Sequence, residues 1–198
     1  MALVNKEEVE KLMKAEGEVR GVSLKNTSDF IIKEEGEEGL KKLEKAMTEI
    51  GQPLEYEEIK AMQFYPLGLF ALYLLVIKRL FNYPDEKIQE IGKSNAKLSL
   101  VIKLFMKYFF SPQRVLKEVP KMWRKYYSVG KLSVQEFNEE EKRAILRIED
   151  FSLHPVWCQD LAGFFSSMVQ MVVGSEAKCQ ETKCTHRGDP YHEFLVKW

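Results

Sequence analysis

Cysteine and histidine are scarce in this 198-residue chain, which holds three of each. Three cysteines do not make a disulfide framework at this length, which excludes the stapled extracellular folds and points to a reducing, cytoplasmic setting. All three histidines lie after residue 153, so no serine–histidine pairing can be argued for catalysis. Net charge is missing as well. Thirty basic and thirty acidic side chains cancel, and no overall field draws the chain to nucleic acid or to an anionic membrane. The N-terminus "MALVNKEEVEKLM" lacks a signal-peptide core. The longest apolar run, Phe64 to Ile77, has about 14 residues, short of the roughly 20 that span a bilayer, and it carries Pro66 and Gly68. It reads as a buried core helix and not as a transmembrane segment. Patterns of the G-x-x-x-x-G-K, G-x-G-x-x-G and G-x-S-x-G types are absent, which removes support for phosphate-loop, dinucleotide and hydrolase chemistry.

What is present has the composition of an ordered globular protein, 45% apolar and 12% aromatic. The length suits one domain over residues 1–198, with residues 1–17 as an N-terminal helical extension. Residues 5 to 15 carry Val9, Leu12 and Met13 on one helical stripe. "EVRGVSL" alternates like a strand. Thr27, Ser28 and Asp29 offer caps to a helix over about 28–35 that Gly36 ends, and Leu40, Leu43, Met47 and Ile50 mark the buried side of the next. Pro66 suits the first turn of the apolar helix. A further helix starts at Pro84 and Asp85, its pattern running to Phe110. Ser111 caps another, kinked at Pro120. After Gly130, "KLSVQEFN" and "RAILRIEDF" read as a hairpin. A last helix runs from Pro155 to Gly174, and two strands over about 176–183 and 191–198 flank "THRGDP". The sum is an α+β fold: an antiparallel sheet of hairpins packed against several helices, helical over its first two-thirds, with a helix plus β-hairpin at the C-terminus.

The scarce residues are not scattered. "CQETKCTHRGDPYHEF", residues 179 to 194, holds two cysteines and two histidines on that last hairpin. Cys158 sits in the first turn of the preceding helix. Glu181, Cys184 and His192 follow at spacings of three and then eight residues. Thiolate, carboxylate and imidazole are ligand types that zinc accepts, and four of them close a tetrahedral site. Chemistry and spacing alone leave two readings open, because buried cysteines and a hydrogen-bonded strand histidine also make an ordinary core. Cys179 reads as a buried thiol, His186 as a turn residue, His154 as a helix-start residue, and Gly188 and Asp189 as turn chemistry.

A cysteine opening the last helix, then Glu-x-x-Cys, a "GDP" turn and an aromatic-ended strand together resemble the 4-vinyl reductase domain family. Residues 154–198 carry the resemblance most specifically, and it extends from Val19 onward. It implies a small-molecule-binding domain with a structural zinc on Cys158, Glu181, Cys184 and His192, the last standing where the family usually has cysteine. The wider superfamily holds haem-based nitric-oxide sensors, which need an axial histidine on a central helix and a Tyr-x-Ser-x-Arg clamp; this chain has neither. It also holds vesicle-tethering subunits that act by assembly, so an interaction scaffold is the alternative.

Nothing in the chain would bind the electron donor that vinyl reduction needs, so the expectation is binding without catalysis. The surplus of aromatic and aliphatic side chains over 64–81 and 98–110 suggests an apolar pocket for a small hydrophobic molecule. Tyr65, Phe70, Tyr73, Phe105 and Phe109 are the wall candidates. The same surplus suggests a homodimer, and any signal would pass to a separate effector protein.

Overall fold

The computed structural model describes residues 3–98 and 112–198, without the side chains of residues 98 and 112–117. Phe105, Phe109, the Ser111 cap and the helical pattern up to Phe110 lie outside the described residues. Those described form six helices and two antiparallel sheets. In chain order they are α1 (Lys6–Met13), β1 (Glu18–Arg20), α2 (Gly21–Glu49), β2 (Phe64–Pro66), α3 (Leu67–Leu80), α4 (Asp85–Leu98), α5 (Pro112–Tyr126), β3 (Lys131–Asn138), β4 (Arg143–Glu149), α6 (Pro155–Val173), β5 (Lys178–Lys183) and β6 (His192–Lys197).

The larger sheet runs β3-β4-β6-β5, so β6 lies between β4 and β5. Alternation decides its two faces. Ala144, Leu146 and Ile148 of β4, and His192, Phe194 and Val196 of β6, turn inward and are buried. α6 lies along this inner face: Phe165 meets Phe194 edge-on at 5.1 Å, and Trp157 packs on Phe151 at 4.1 Å. α3 is apolar all round and accordingly buried all round, every residue from Leu67 to Ile77. This chain itself covers that half of the apolar surplus. Among the described residues only Met62 and Phe64 are large exposed hydrophobics.

The stretch expected as a strand is mostly helix. Only Glu18–Arg20 pairs, with Phe64–Pro66, and α2 begins at Gly21 instead of about residue 28. No side chain caps it. The Gly21 and Val22 N–H groups donate instead to the carbonyls of Gln63 and Ala61, at 2.7 and 2.8 Å. The orphan donors of the helix start are thus met by a segment 40 residues away in the chain, roughly, a partner that local capping rules do not include. The expected caps point elsewhere: Ser28 Oγ bonds Leu24 O and the Tyr73 hydroxyl, and Asp29 accepts from Tyr56. Gly36 breaks the helix as expected, its φ of 73° and ψ of 178° splitting α2 in two.

α1 docks on α3. Val9 and Leu12 are buried, and Arg79 grips Glu8 through two hydrogen bonds of 2.9 and 2.7 Å. Gly68 lies under Leu12, where a Cβ would overlap the Leu12 carbonyl oxygen. α4 and α6 cross in the same close manner. A Cβ on Gly92 would overlap the Asp160 carbonyl oxygen, and one on Gly163 that of Gln89. Beside this crossing a buried polar group joins three helices: Asn95 Nδ2 lies 3.3 Å from Thr27 Oγ1 and 3.4 Å from Asp160 Oδ1. Burial pushes the Asp160 carboxyl up to about 7, against the opposing pull of the Asn95 contact.

Candidate metal centre

His154 opens α6, its Nδ1 accepting the Val156 N–H at 3.1 Å, and Pro155 fills the first helical position, where a missing N–H costs nothing. This start turns Cys158 inward toward the end of the sheet. On β5 the register slips between Glu181 and Lys183. Cys184 then leads into a single 3₁₀ turn, Thr185–Arg187, that ends at Gly188 with φ of 91°. Asp189 holds the turn from outside: Oδ2 accepts the Cys184 N–H at 2.8 Å. β6 starts directly at His192, so the hairpin returns its imidazole to Glu181 and Cys184.

The four predicted ligands converge. One donor atom from each of Cys158, Glu181, Cys184 and His192 lies within 4.8 Å of every other. Cys158 is 2% exposed, Cys184 3% and His192 0%. A zinc tetrahedron with bonds of about 2.0–2.3 Å has donor–donor edges of roughly 3.3–3.8 Å. Cys158 Sγ to His192 Nδ1 is 3.7 Å, and Glu181 Oε1 to the same nitrogen is 2.8 Å. The donors therefore need shifts of only a few tenths of an ångström to about one ångström to surround an ion.

Charge makes the same point. Burial pushes both thiols above their ordinary value, and the neighbouring Glu181 adds to this. A cation between them reverses that preference and deprotonates a coordinating thiol. Burial works against ionised Glu181 too, but hydrogen bonds from His192, Cys184 and Cys158 outweigh it and leave the carboxyl below its usual range. The Arg187 guanidinium stands 3.6 Å from its other oxygen.

His192 is oriented from behind, which the sequence reading missed. Thr185 Oγ1 lies 2.9 Å from Nε2 and donates to Ser152 Oγ at 3.1 Å. With its proton directed to Ser152, the threonine oxygen accepts Nε2–H. Nδ1 faces Glu181 Oε1: when protonated it donates the hydrogen bond to the carboxylate, and when unprotonated it offers its lone pair to a metal ion. Two acceptors 2.8 Å apart need a proton or a metal ion between them. Thr185 lies next to Cys184 in sequence, but Ser152 lies 33 residues from Thr185, and only the fold joins them.

The remaining candidates lie elsewhere. Cys179 is half-buried and outside the cluster. His186 sits in the turn, its ring 5.8 Å from that of His192. Phe70 and Tyr73 are closed in the core at 0% and 1% exposure, and Tyr65 accepts the Lys60 N–H. An apolar hollow lies between α5, β3 and α6, walled by Val119, Trp123, Tyr127, Leu132, Phe164 and Met168 among others, and measures about 20 Å³. It has no histidine, and the chain has none before residue 154. A haem held by an axial histidine in the helical region does not fit these residues.

No protein-family model matches the chain, and no curated protein matches it. Solved structures do. An H-NOX protein from S. oneidensis in the Fe(II)NO ligation state aligns over 90% of this chain and 98% of its own, with a TM-score of 0.67 at 11% identity. The Fe(II) unliganded H-NOX protein from K. algicida aligns over 90% and 95%, with a TM-score of 0.65 at 13% identity. A trafficking protein particle complex subunit 3 from Naegleria fowleri covers 65% of this chain and 92% of its own at 16% identity, with a TM-score of 0.49. The chain shares the fold of the H-NOX structures.

Proposed function

We propose that this protein is a non-catalytic sensor or carrier domain of the 4-vinyl reductase type that binds a small hydrophobic molecule. One structural zinc, on Cys158, Glu181, Cys184 and His192, locks its last helix to its last hairpin. The convergence of those four donors, three of them buried and Glu181 half-buried, carries the reading of the metal. Four protein ligands fill a tetrahedron and leave no open position, which suits a structural ion over a catalytic one. The H-NOX fold supports the sensor reading, since those proteins were captured with and without a diatomic ligand on iron. A haem is not part of the proposal. Apolar walls without a built polar anchor favour a hydrophobic ligand over a phenol-like one.

Elemental analysis of protein purified without chelator is expected to give about one zinc per chain, as one closed site requires. Cys184→Ala is expected to lose the metal and to melt earlier, because the ligands tie two elements together. Metal-free protein whose melting temperature is unchanged by Cys184→Ala overturns the zinc assignment. Native mass spectrometry then tests the ligand: a co-purified small molecule supports a sensor or carrier, whereas a bare, defined oligomer supports the scaffold.

A further inference from the structure

A second concavity lies on the other side of Thr185 and Ser152 from the metal donors. α1 forms one wall, the loop from Ser152 to Pro155 at the start of α6 forms the other, and His186 closes one end. The cleft measures about 490 Å³, within the range of about 300–1,000 Å³ that small-molecule sites occupy. Its floor is apolar, made of Leu12, Leu75 and Leu153. Lys11 in the last turn of α1 and Lys14, its C-cap residue, stand on the rim with no acidic partner among the described residues.

Three features define what this cleft suits. The two ammonium groups add to the positive end of the α6 dipole, which opens at Pro155 on the facing wall. His154 already occupies the Val156 N–H, so the helix supplies mainly field and the lysines supply the donors. Glu8 also lines the cleft, and the hydrogen bond from Arg79 holds its carboxyl down at about 2. A permanent negative charge there opposes a phosphate-like dianion and tolerates a monoanion. The leucine floor gives an inorganic ion nothing to bury against, but it suits an apolar body about the size of a ring or a short chain.

We infer that the cleft between α1 and the start of α6 binds a small organic monocarboxylate, its carboxylate on Lys11 and Lys14 and its apolar body on Leu12, Leu75 and Leu153. The site is independent of the zinc assignment, because α1 supplies no metal donor. It nevertheless adjoins the metal centre, since Ser152 in its wall accepts from the threonine that orients His192.

Benzoate and octanoate serve as probes for an aromatic and an aliphatic body, and benzamide as the uncharged control. Saturation-transfer NMR and calorimetry on the full chain are expected to show one site for at least one carboxylate. Benzamide should bind at least tenfold more weakly. Lys11 and Lys14 are exposed, so the pair K11E and K14E is expected to leave the melting temperature unchanged while weakening the carboxylate at least tenfold. The pair K11R and K14R should retain binding. Absence of binding by either carboxylate at millimolar concentration overturns the inference, as does equal binding of benzamide or binding indifferent to K11E and K14E. Zinc content of the same samples reports separately on the metal centre.

Discussion

At the scale of single residues, buried Asp160 and partly exposed Glu8 behave in opposite ways. Asp160 is 2% exposed and has only a 3.4 Å contact to Asn95. Burial raises its carboxyl from the ordinary 3.8 to about 7. The unfolded chain therefore releases this proton first, and stability falls as pH rises from about 4 to about 7. Asp160→Asn keeps the shape without the charge. It is expected to be more stable than the parent at pH 8, by up to a few kcal/mol, with the gain gone near pH 4. Urea unfolding at the two pH values checks this, and equal differences at both contradict it. Glu8 has the reverse sign. Arg79 lowers it from 4.5 to about 2, so its contribution is complete above about 4.5 and is lost as pH falls through 2. Both partners are about a third exposed, so Glu8→Gln at pH 7 is expected to cost no more than roughly 1 kcal/mol.

At the scale of elements, helix contacts are set by glycine. Replacing a helix-interior glycine with alanine ordinarily stabilises by about 1 kcal/mol. At Gly163 the new methyl would overlap the Gln89 carbonyl oxygen, a backbone atom that cannot swing aside. Overpacking of that kind costs about 1–3 kcal/mol, so Gly163→Ala is expected to destabilise. A thermal melt with an unchanged or raised midpoint contradicts the crossing described. Much of this architecture was legible beforehand. The 14-residue apolar stretch, both terminal hairpins, the Gly36 break and the Gly174 cap follow from period, proline and glycine. The start of α2 was not legible, because "EVRGVSL" is too short to separate a period of 2 from one of 3.6, and its first donors are met by Ala61 and Gln63. The convergence of Cys158, Glu181, Cys184 and His192 was readable because scarce residue types cluster. Ser152 and Thr185 were not, since hydroxyls are common and only the tertiary fold gives these two a role.

At the scale of the whole molecule, the proposed metal centre sits at one corner, between the start of α6 and the last hairpin. It joins α6 to the β5–β6 hairpin through side chains that, without an ion, place an imidazole nitrogen against a carboxylate. Chelation is expected to lower the melting temperature. In a chain of this size even about 2 kcal/mol of metal-linked stability corresponds to roughly 4–8 °C. Hydrogen exchange should locate the loosening in residues 178–197 and the first turn of α6, leaving α3 protected. Uniform loosening, or none, contradicts a local clamp.

The strand order also sets a schedule for synthesis. β6 follows every other described element in the chain, yet it lies between β4 and β5. A chain that reaches only to residue 191 has β4 and β5 with no partner between them and lacks the histidine. In such a chain β4 exposes one unpaired edge and β5 both of its edges, and such edges recruit other chains. Only α6, β5 and the turn can meet beforehand, with three of the four donors on them. Released chains truncated at residue 191 should therefore be cut by protease within 143–183 while α3 resists, and chains that include β6 should resist there as well.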